Sequence, residues 1–413
     1  MRAIAQQIDE VVADPVLRWY GAALALVNTV TALFWLTVQP LDRILQPAAT
    51  PICWPFLDAC HEWRVAGPGL ISAIVVGLAF LGLWTAVLFV SQGAARRAYW
   101  LLLLGLGMRT LLVLQDYRLV LNQHYMTSCV TVAYLFVPGK RRVLPSLLVL
   151  FYFWAGLLKF TPDWMSGAGL YGRRPLGMPQ AWVPVACMYV IVLELLIAPL
   201  MLVRRQLIFW AAFGQLLLFH LASYWVVGFF YPVLMFLLLT IVPFVHFGPR
   251  LSVEDTESPR AVLSGVSRPQ EHPVAFAFLV GFSVLQLTPR LFPGDVAVTG
   301  EGRMFALNMF DAPLSCRGYA TVHRSREQPE MLTLTAPFVN PRIACDPIVY
   351  RAIALALCRR NDTARDFHDI DLTLDTRKHG QHISSTVVSV KSFCTTRPRY
   401  SVWRHNEWIK PSS

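Results

Sequence analysis

The feature that most constrains this chain is a series of apolar runs, each long enough to cross about 30 Å of hydrocarbon, which takes about 20 helical residues. They fall near residues 19–38, 70–91, 98–115, 143–160, 181–203, 207–224, 228–246 and 273–292, and a weaker one lies near 121–137. Counting the weaker run, the sequence predicts nine transmembrane helices, because backbone inside lipid must satisfy its own hydrogen bonds and runs of this length do so as helices. Composition agrees: 15% of the residues are charged and 55% are hydrophobic, whereas about a quarter of the residues of a soluble domain are charged.

The formal net charge of +11 is distributed in a way that argues against nucleic acid, which needs a basic stripe on a soluble face. Here the cations interrupt the apolar runs: Arg96 and Arg97; Lys140, Arg141 and Arg142; Arg204 and Arg205; Arg250, Arg260 and Arg268. With nine crossings all four clusters fall on one side, and the positive-inside rule makes that side cytoplasmic. The N-terminus is then cytoplasmic too. Met1 to Arg18 lacks the features of a secretory signal, so insertion is expected to begin with the first spanning helix.

This topology puts six cysteines, Cys53, Cys60, Cys316, Cys345, Cys358 and Cys394, outside the cytoplasm, where disulfides are the natural reading. Cys53 and Cys60 are spaced too widely for a thioredoxin-like pair and read as a structural clip. The pairing of the other four stays open. Residues 248–272 read as a flexible cytoplasmic loop, being Pro-rich and charged without apolar periodicity. Beyond Gly294 the composition shifts to short alternating stretches, such as Met331 to Leu334 and Ile383 to Val390, with an amphipathic helix over Ile348 to Cys358. The expected architecture is a polytopic α-helical membrane bundle over residues 1–293 and a small extracytoplasmic β-rich domain over 294–413.

An ionisable group in a spanning helix is costly and therefore a functional candidate. Arg109, Lys159, Glu194 and His220 stand out, with Asp116, Arg118 and His124 near the outer ends of the helices. Lys159 closes an apolar run and can either snorkel to the headgroups or, desolvated, act as a general base. Glu194 needs a cation or serves as an interhelical hydrogen-bond partner, and the downstream Pro199 frees a carbonyl that could need one. His220 reads as a proton carrier, a hydrogen-bonding partner for a quinone or a packed polar side chain. The sequence holds no phosphate loop, dinucleotide fingerprint, His-Glu-x-x-His or Cys-x-x-Cys motif, and no metal site is expected.

The stretch from Phe153 to Gly167 (FWAGLLKFTPDWMSG) resembles the aromatic-x-Ala-Gly-x-Lys-Lys-x-Asp-x-Asp-Trp-x-x-Gly segment of the vitamin K-dependent gamma-carboxylases and their bacterial relatives, the HTTM proteins. Asn122-Gln123-His124-Tyr125 is similar to that family's Asn-Asn-His segment. Phe219-His220-Leu221 with Gly228-Phe229-Phe230 is similar to its Phe-His and Gly-x-Phe segments, and Glu194 falls where the family keeps an acid. Glu301 to Met309 resembles the sequence that opens the family's extracytoplasmic part. The resemblance implies a membrane enzyme in which Lys159 deprotonates reduced vitamin K or a related quinone, whose oxygenation yields a base strong enough to take a γ-proton from glutamate before CO2 adds. His124 would support the oxygenated quinone, and His220, Glu194, Asp163, Asn122 and Arg109 would shape the pocket. It also implies a bacterial inner membrane, a periplasmic C-terminal domain, membrane lipids as partners and a protein or peptide substrate outside the cytoplasm. The chain departs from the pattern at Leu158, Thr161 and Ala306-Leu307. The alternative is a non-catalytic scaffold or lipid-binding protein of the same architecture, and a third reading gives Cys53 and Cys60 a thiol-disulfide role.

Overall fold

A computed structural model of the protein describes residues 2–46, 49–57, 60, 62, 64, 67–170, 177–248, 273–308, 314–324, 328–335, 339–340, 343–364, 367–379 and 383–411. The loop expected at 248–272, with Arg250, Arg260 and Arg268, lies outside the described residues apart from Gly248.

Among the described residues, seven helices are long and apolar enough to cross a membrane: Pro15–Thr37 (α2), Pro68–Val90 (α3), Ala95–Leu114 (α4), Lys140–Leu158 (α6), Gln180–Leu202 (α7), Gln206–Val227 (α8) and Phe230–Phe247 (α9). The other two expected spans form shorter helices among the described residues, Asn122–Phe136 (α5, 15 residues) and Pro273–Gln286 (α10, 14 residues). Of the nine expected spans, seven thus have the length and apolar composition to cross a membrane, and the other two are present as shorter helices at the expected positions. The apolar run at 273–292 overstates α10 because its end turns into a short 3₁₀ segment at Thr288–Leu291. Many outward residues on the long helices are large and apolar, including Phe80, Leu104, Leu207 and Leu218. That is the surface a lipid-facing helix presents.

An N-terminal helix, Arg2–Ala13 (α1), lies against one end of the bundle. Its chemistry explains the position: Lys140 reaches Glu10 at 3.0 Å, Arg141 reaches Asp14 at 2.5 Å and Arg96 pairs with Asp9. Asp14 also caps α2, accepting from the Val16 N–H at 2.8 Å ahead of Pro15, an arrangement suited to the first turn of a helix. Two of the basic clusters are thus neutralised by one acidic segment.

At the opposite end sits a four-stranded antiparallel sheet of order β2-β1-β3-β4, built from Leu314–His323 (β1), Glu330–Leu334 (β2), Asp369–Lys378 (β3) and Ser385–Val390 (β4). The expected helix is longer than its alternating pattern suggested, running Pro347–Ala364 (α11), so the region is a sheet with a helix packed on it. Disulfides join Cys53 to Cys60, Cys316 to Cys345 and Cys358 to Cys394. Such bonds are consistent with an oxidising, extracytoplasmic side for this end.

The apolar core of the sheet region includes Ile52, Trp54 and Tyr117 from the loops between membrane helices, beside Ile370, Leu372 and Val388. Polar contacts tighten the same junction. Glu301 is buried and accepts from the Asn406 N–H and side-chain amide and pairs with His405, each at 2.8 Å. Arg303 reaches Asp346 at 2.9 Å, and the Tyr117 hydroxyl donates to the same carboxylate at 3.2 Å. Gln286 at the end of α10 accepts from the Leu307 N–H at 2.8 Å and donates to the Phe305 carbonyl at 3.0 Å. Gly302 adopts φ +72°, and a Cβ there would lie 2.8 Å from the Phe292 ring and from the Pro289 backbone. Only glycine suits that turn.

Candidate functional site

Lys159 ends α6, and Tyr152, Gly156 and Lys159 stand at i, i+4 and i+7 on one helix face. The facing helix, α7, loosens into a π-helical segment at Leu193–Ile197, which carries Glu194. Such widened turns are rare and recur at functional sites. Gly156 lets the two helices meet there, since a Cβ would lie 3.0 Å from the Glu194 Cβ. Close approach at small residues is a common device in membrane helices.

The result is a buried ion pair. Lys159 Nζ lies 2.7 Å from Glu194 Oε1 and 2.6 Å from Oε2, with the Ala155 carbonyl at 3.4 Å. Both side chains are sealed, at 2% and 3% exposure. Nζ also sits 5.5 Å above the Trp164 ring, whose indole N–H donates to the Cys187 carbonyl at 2.9 Å and so fixes the ring. Thr161 caps the short helix Pro162–Met165 by accepting from the Trp164 N–H at 3.3 Å, which gives this departure from the resembled motif a positioning role. In a low-dielectric site neither charge is stable without the other, so each residue holds its partner in place.

The pair closes the polar end of a cleft of about 500 Å³ between α7 and α8. Trp164, Tyr189, Phe219, Trp225 and Tyr231 supply aromatic walls, and Leu170, Met178, Ala186 and Leu218 supply aliphatic ones. Tyr189, Leu218, Leu221 and Trp225 are exposed on the outer face of the bundle. The cleft therefore opens where lipid tails would be. Its volume is in the range of small-molecule sites.

His220 lies behind this wall. Its Nε2 and the Tyr152 hydroxyl are 2.6 Å apart, its ring packs on Tyr231 at 5.9 Å, and its Nδ1 meets no partner among the described residues. The remaining candidates go elsewhere. His124 packs on Phe34 and Trp35, beside Arg109, whose Nη2 reaches Ser128 Oγ at 3.4 Å. Phe34 also packs edge-on against Phe230, with ring centres 5.5 Å apart, and Phe230 precedes Tyr231 in the chain. Asp163 and Asn122 hold the junction with the sheet region: Asp163 accepts from Lys378 at 2.7 Å, and Asn122 donates to the Asn308 carbonyl at 2.9 Å. Asp116 binds Arg118 at 2.7 Å and Arg64 at 3.6 Å.

Lys159, Glu194 and His220 are thus brought to one place, His220 through the Tyr152 and Tyr231 rings, whereas His124 and Arg109 form a separate cluster. Sequence reasoning missed Tyr152 and Tyr231 as members of the site. The signal for Tyr152 was its seven-residue offset from Lys159. For Tyr231 there was no comparable signal, because it reaches the cleft from another helix. No group of three or more His, Cys, Asp or Glu residues able to hold a metal ion occurs among the described residues. Comparison with family models, curated proteins and solved structures finds no match.

Proposed function

We propose that this protein is a membrane enzyme resembling the vitamin K-dependent carboxylases, using a reduced quinone bound in the Lys159 cleft to drive proton abstraction from, and carboxylation of, a substrate outside the cytoplasm. One observation carries the reading: a buried Lys–Glu pair closes an aromatic-walled cleft whose other end is open to lipid. A ring with a hydroxyl at one end and an isoprenoid tail at the other fits that polarity.

When bound, the quinone supplies the oxygen-dependent chemistry. The chain supplies binding, orientation and a proton acceptor. Transfer of a proton from Nζ to a Glu194 oxygen 2.6 Å away would leave a free amine beside a protonated carboxyl. The free amine can then accept a proton from a hydroxyl placed against it, and the resulting ammonium stabilises the negative charge left on that oxygen. Trp164 and Tyr231 orient the ring, and the apolar walls keep water from the reacting atoms. On this reading the protein lies in a bacterial inner membrane, with the acidic N-terminal segment and basic loops cytoplasmic and the disulfide-bonded region periplasmic.

The test is quinone epoxidation by the purified protein in lipid nanodiscs, with Lys159→Ala expected to abolish it. Wild-type protein without that activity would overturn the proposal. The bidentate engagement of Lys159 favours one rival reading, a locked pair that anchors a lipid headgroup in a non-catalytic protein. Lipids that co-purify discriminate: a quinone supports the enzyme, a phospholipid the scaffold.

A further inference from the structure

The second polar cluster differs from the Lys159 site in one respect: among the described residues it contains a cation and neutral groups but no acid. Arg109 is 1% exposed and His124 is 3% exposed. The Nε and Nη1 of Arg109, both ring nitrogens of His124, the Trp35 Nε1 and the Thr31 Oγ1 are buried and meet no partner among the described residues. Arg109, His124, Trp35 and Ser128 meet at a junction of three helices. Thr31 and Trp35 are one turn apart on α2, and Arg109 stands on α4. His124 and Ser128 are one turn apart on α5. The Trp35 and His124 ring centres lie 5.2 Å apart, and among the described residues the Arg109 side chain donates one hydrogen bond, to Ser128 Oγ. Asp116, a nearby acid, is engaged by Arg118 and Arg64.

A guanidinium buried at membrane depth without a counter-charge is strongly unfavourable, and it cannot shed its proton as a lysine can. The indole N–H and one imidazole N–H add further donors. Such a donor-rich, acid-free junction is complementary to a small anion with several acceptor sites, and a planar carboxylate offers about four.

We propose that Arg109, with His124, Trp35 and Ser128, binds a small carboxylate-type oxyanion, of the size of bicarbonate or acetate, at a site separate from the Lys159 cleft. The inference rests on the unpartnered donors and not on the quinone reading. The ion neutralises Arg109, and the fixed fan of guanidinium donors orients its oxygens.

The test is thermal unfolding of the purified full-length protein in nanodiscs, titrated with sodium bicarbonate or sodium acetate at constant ionic strength against sodium chloride. A saturable rise in Tm with either oxyanion but not with chloride is expected in wild type and in Lys159→Met, and its loss in Arg109→Gln. Should Arg109→Gln fail to fold, Arg109→Lys keeps the charge while losing the planar fan of donors, and should need at least tenfold more anion for the same shift. Equilibrium dialysis with labelled acetate should give one ion per wild-type chain. No shift in wild type, an equal shift with chloride, or an unchanged response in the Arg109 variants would each overturn the proposal. Loss of the response in Lys159→Met would also overturn it, by assigning the anion to the other site.

Discussion

Lys159 illustrates how a single side chain changes meaning once its surroundings are known. At the end of an apolar run it could have snorkelled to the headgroups. Instead it turns inward to both oxygens of Glu194, because the π-helical turn brings that carboxylate opposite Gly156. Removing one member of such a pair strands a buried charge, a cost of about 3–5 kcal/mol, while replacing both by apolar residues can be neutral. Glu194→Leu and Lys159→Met alone should each lower the Tm, and the double variant should recover much of the loss, as a double-mutant cycle in nanodiscs would show. Asp369 gives a second prediction. Burial tends to raise its pKa, but the Thr395 hydroxyl and the N–H groups of Ile370, Cys394 and Thr395 outweigh burial and hold its carboxyl below the ordinary carboxylate range. A depressed native pKa adds stability above the unfolded value of about 4, and that stability is lost as pH falls through the native value. The stability gap between wild type and Asp369→Asn, followed by denaturation from pH 7 to pH 2, should therefore hold above about pH 4 and close below it.

Among the elements, the long helices were legible because apolar length alone reports a span, and the two short ones were legible as helices but not as short ones. In α5, Asn122, Gln123 and His124 lower the apolar content where the helix meets the sheet region. The π-helical turn in α7 was invisible, since Val192-Leu193-Glu194-Leu195 reads equally well as regular helix. The sheet was seen only in part: β4 and β2 showed alternation, while β1 and β3 escaped notice because they carry Cys316, Arg317, Asp371 and Asp375 among their apolar residues. The pairing of the last four cysteines was also beyond the sequence, unlike the Cys53–Cys60 clip, and follows from β1 lying near Cys345, and α11 near Cys394. The Cys316–Cys345 bond closes a separation of 29 residues, for which loop entropy gives about 3–4 kcal/mol. Replacing both cysteines by serine should lower the stability of the sheet region by roughly that amount. Urea unfolding followed by fluorescence of a tryptophan such as Trp408 would measure it.

Across the whole molecule, the two ends of the bundle are chemically distinct, one carrying the basic clusters paired to α1 and the other the disulfides. Single cysteines placed at Ser91 and Ser401 should accordingly be labelled from opposite faces of intact membranes by an impermeant maleimide; labelling of both from one face would refute the topology. The junction between bundle and sheet should respond to Gly302→Ala, which crowds Phe292 and Pro289 and is expected to speed hydrogen exchange around Leu307 and Asn406. Residue order alone was sufficient for the long apolar helices, the position of the basic clusters between them and the list of costly buried ions, because hydrophobic length and charge placement are local properties of a chain. Which ions meet is not local. That Lys159 takes Glu194 while Arg109 takes Ser128, and that loop residues Ile52, Trp54 and Tyr117 complete the core of the sheet region, depends on helix register and on contacts between segments far apart in the chain, which no periodicity records.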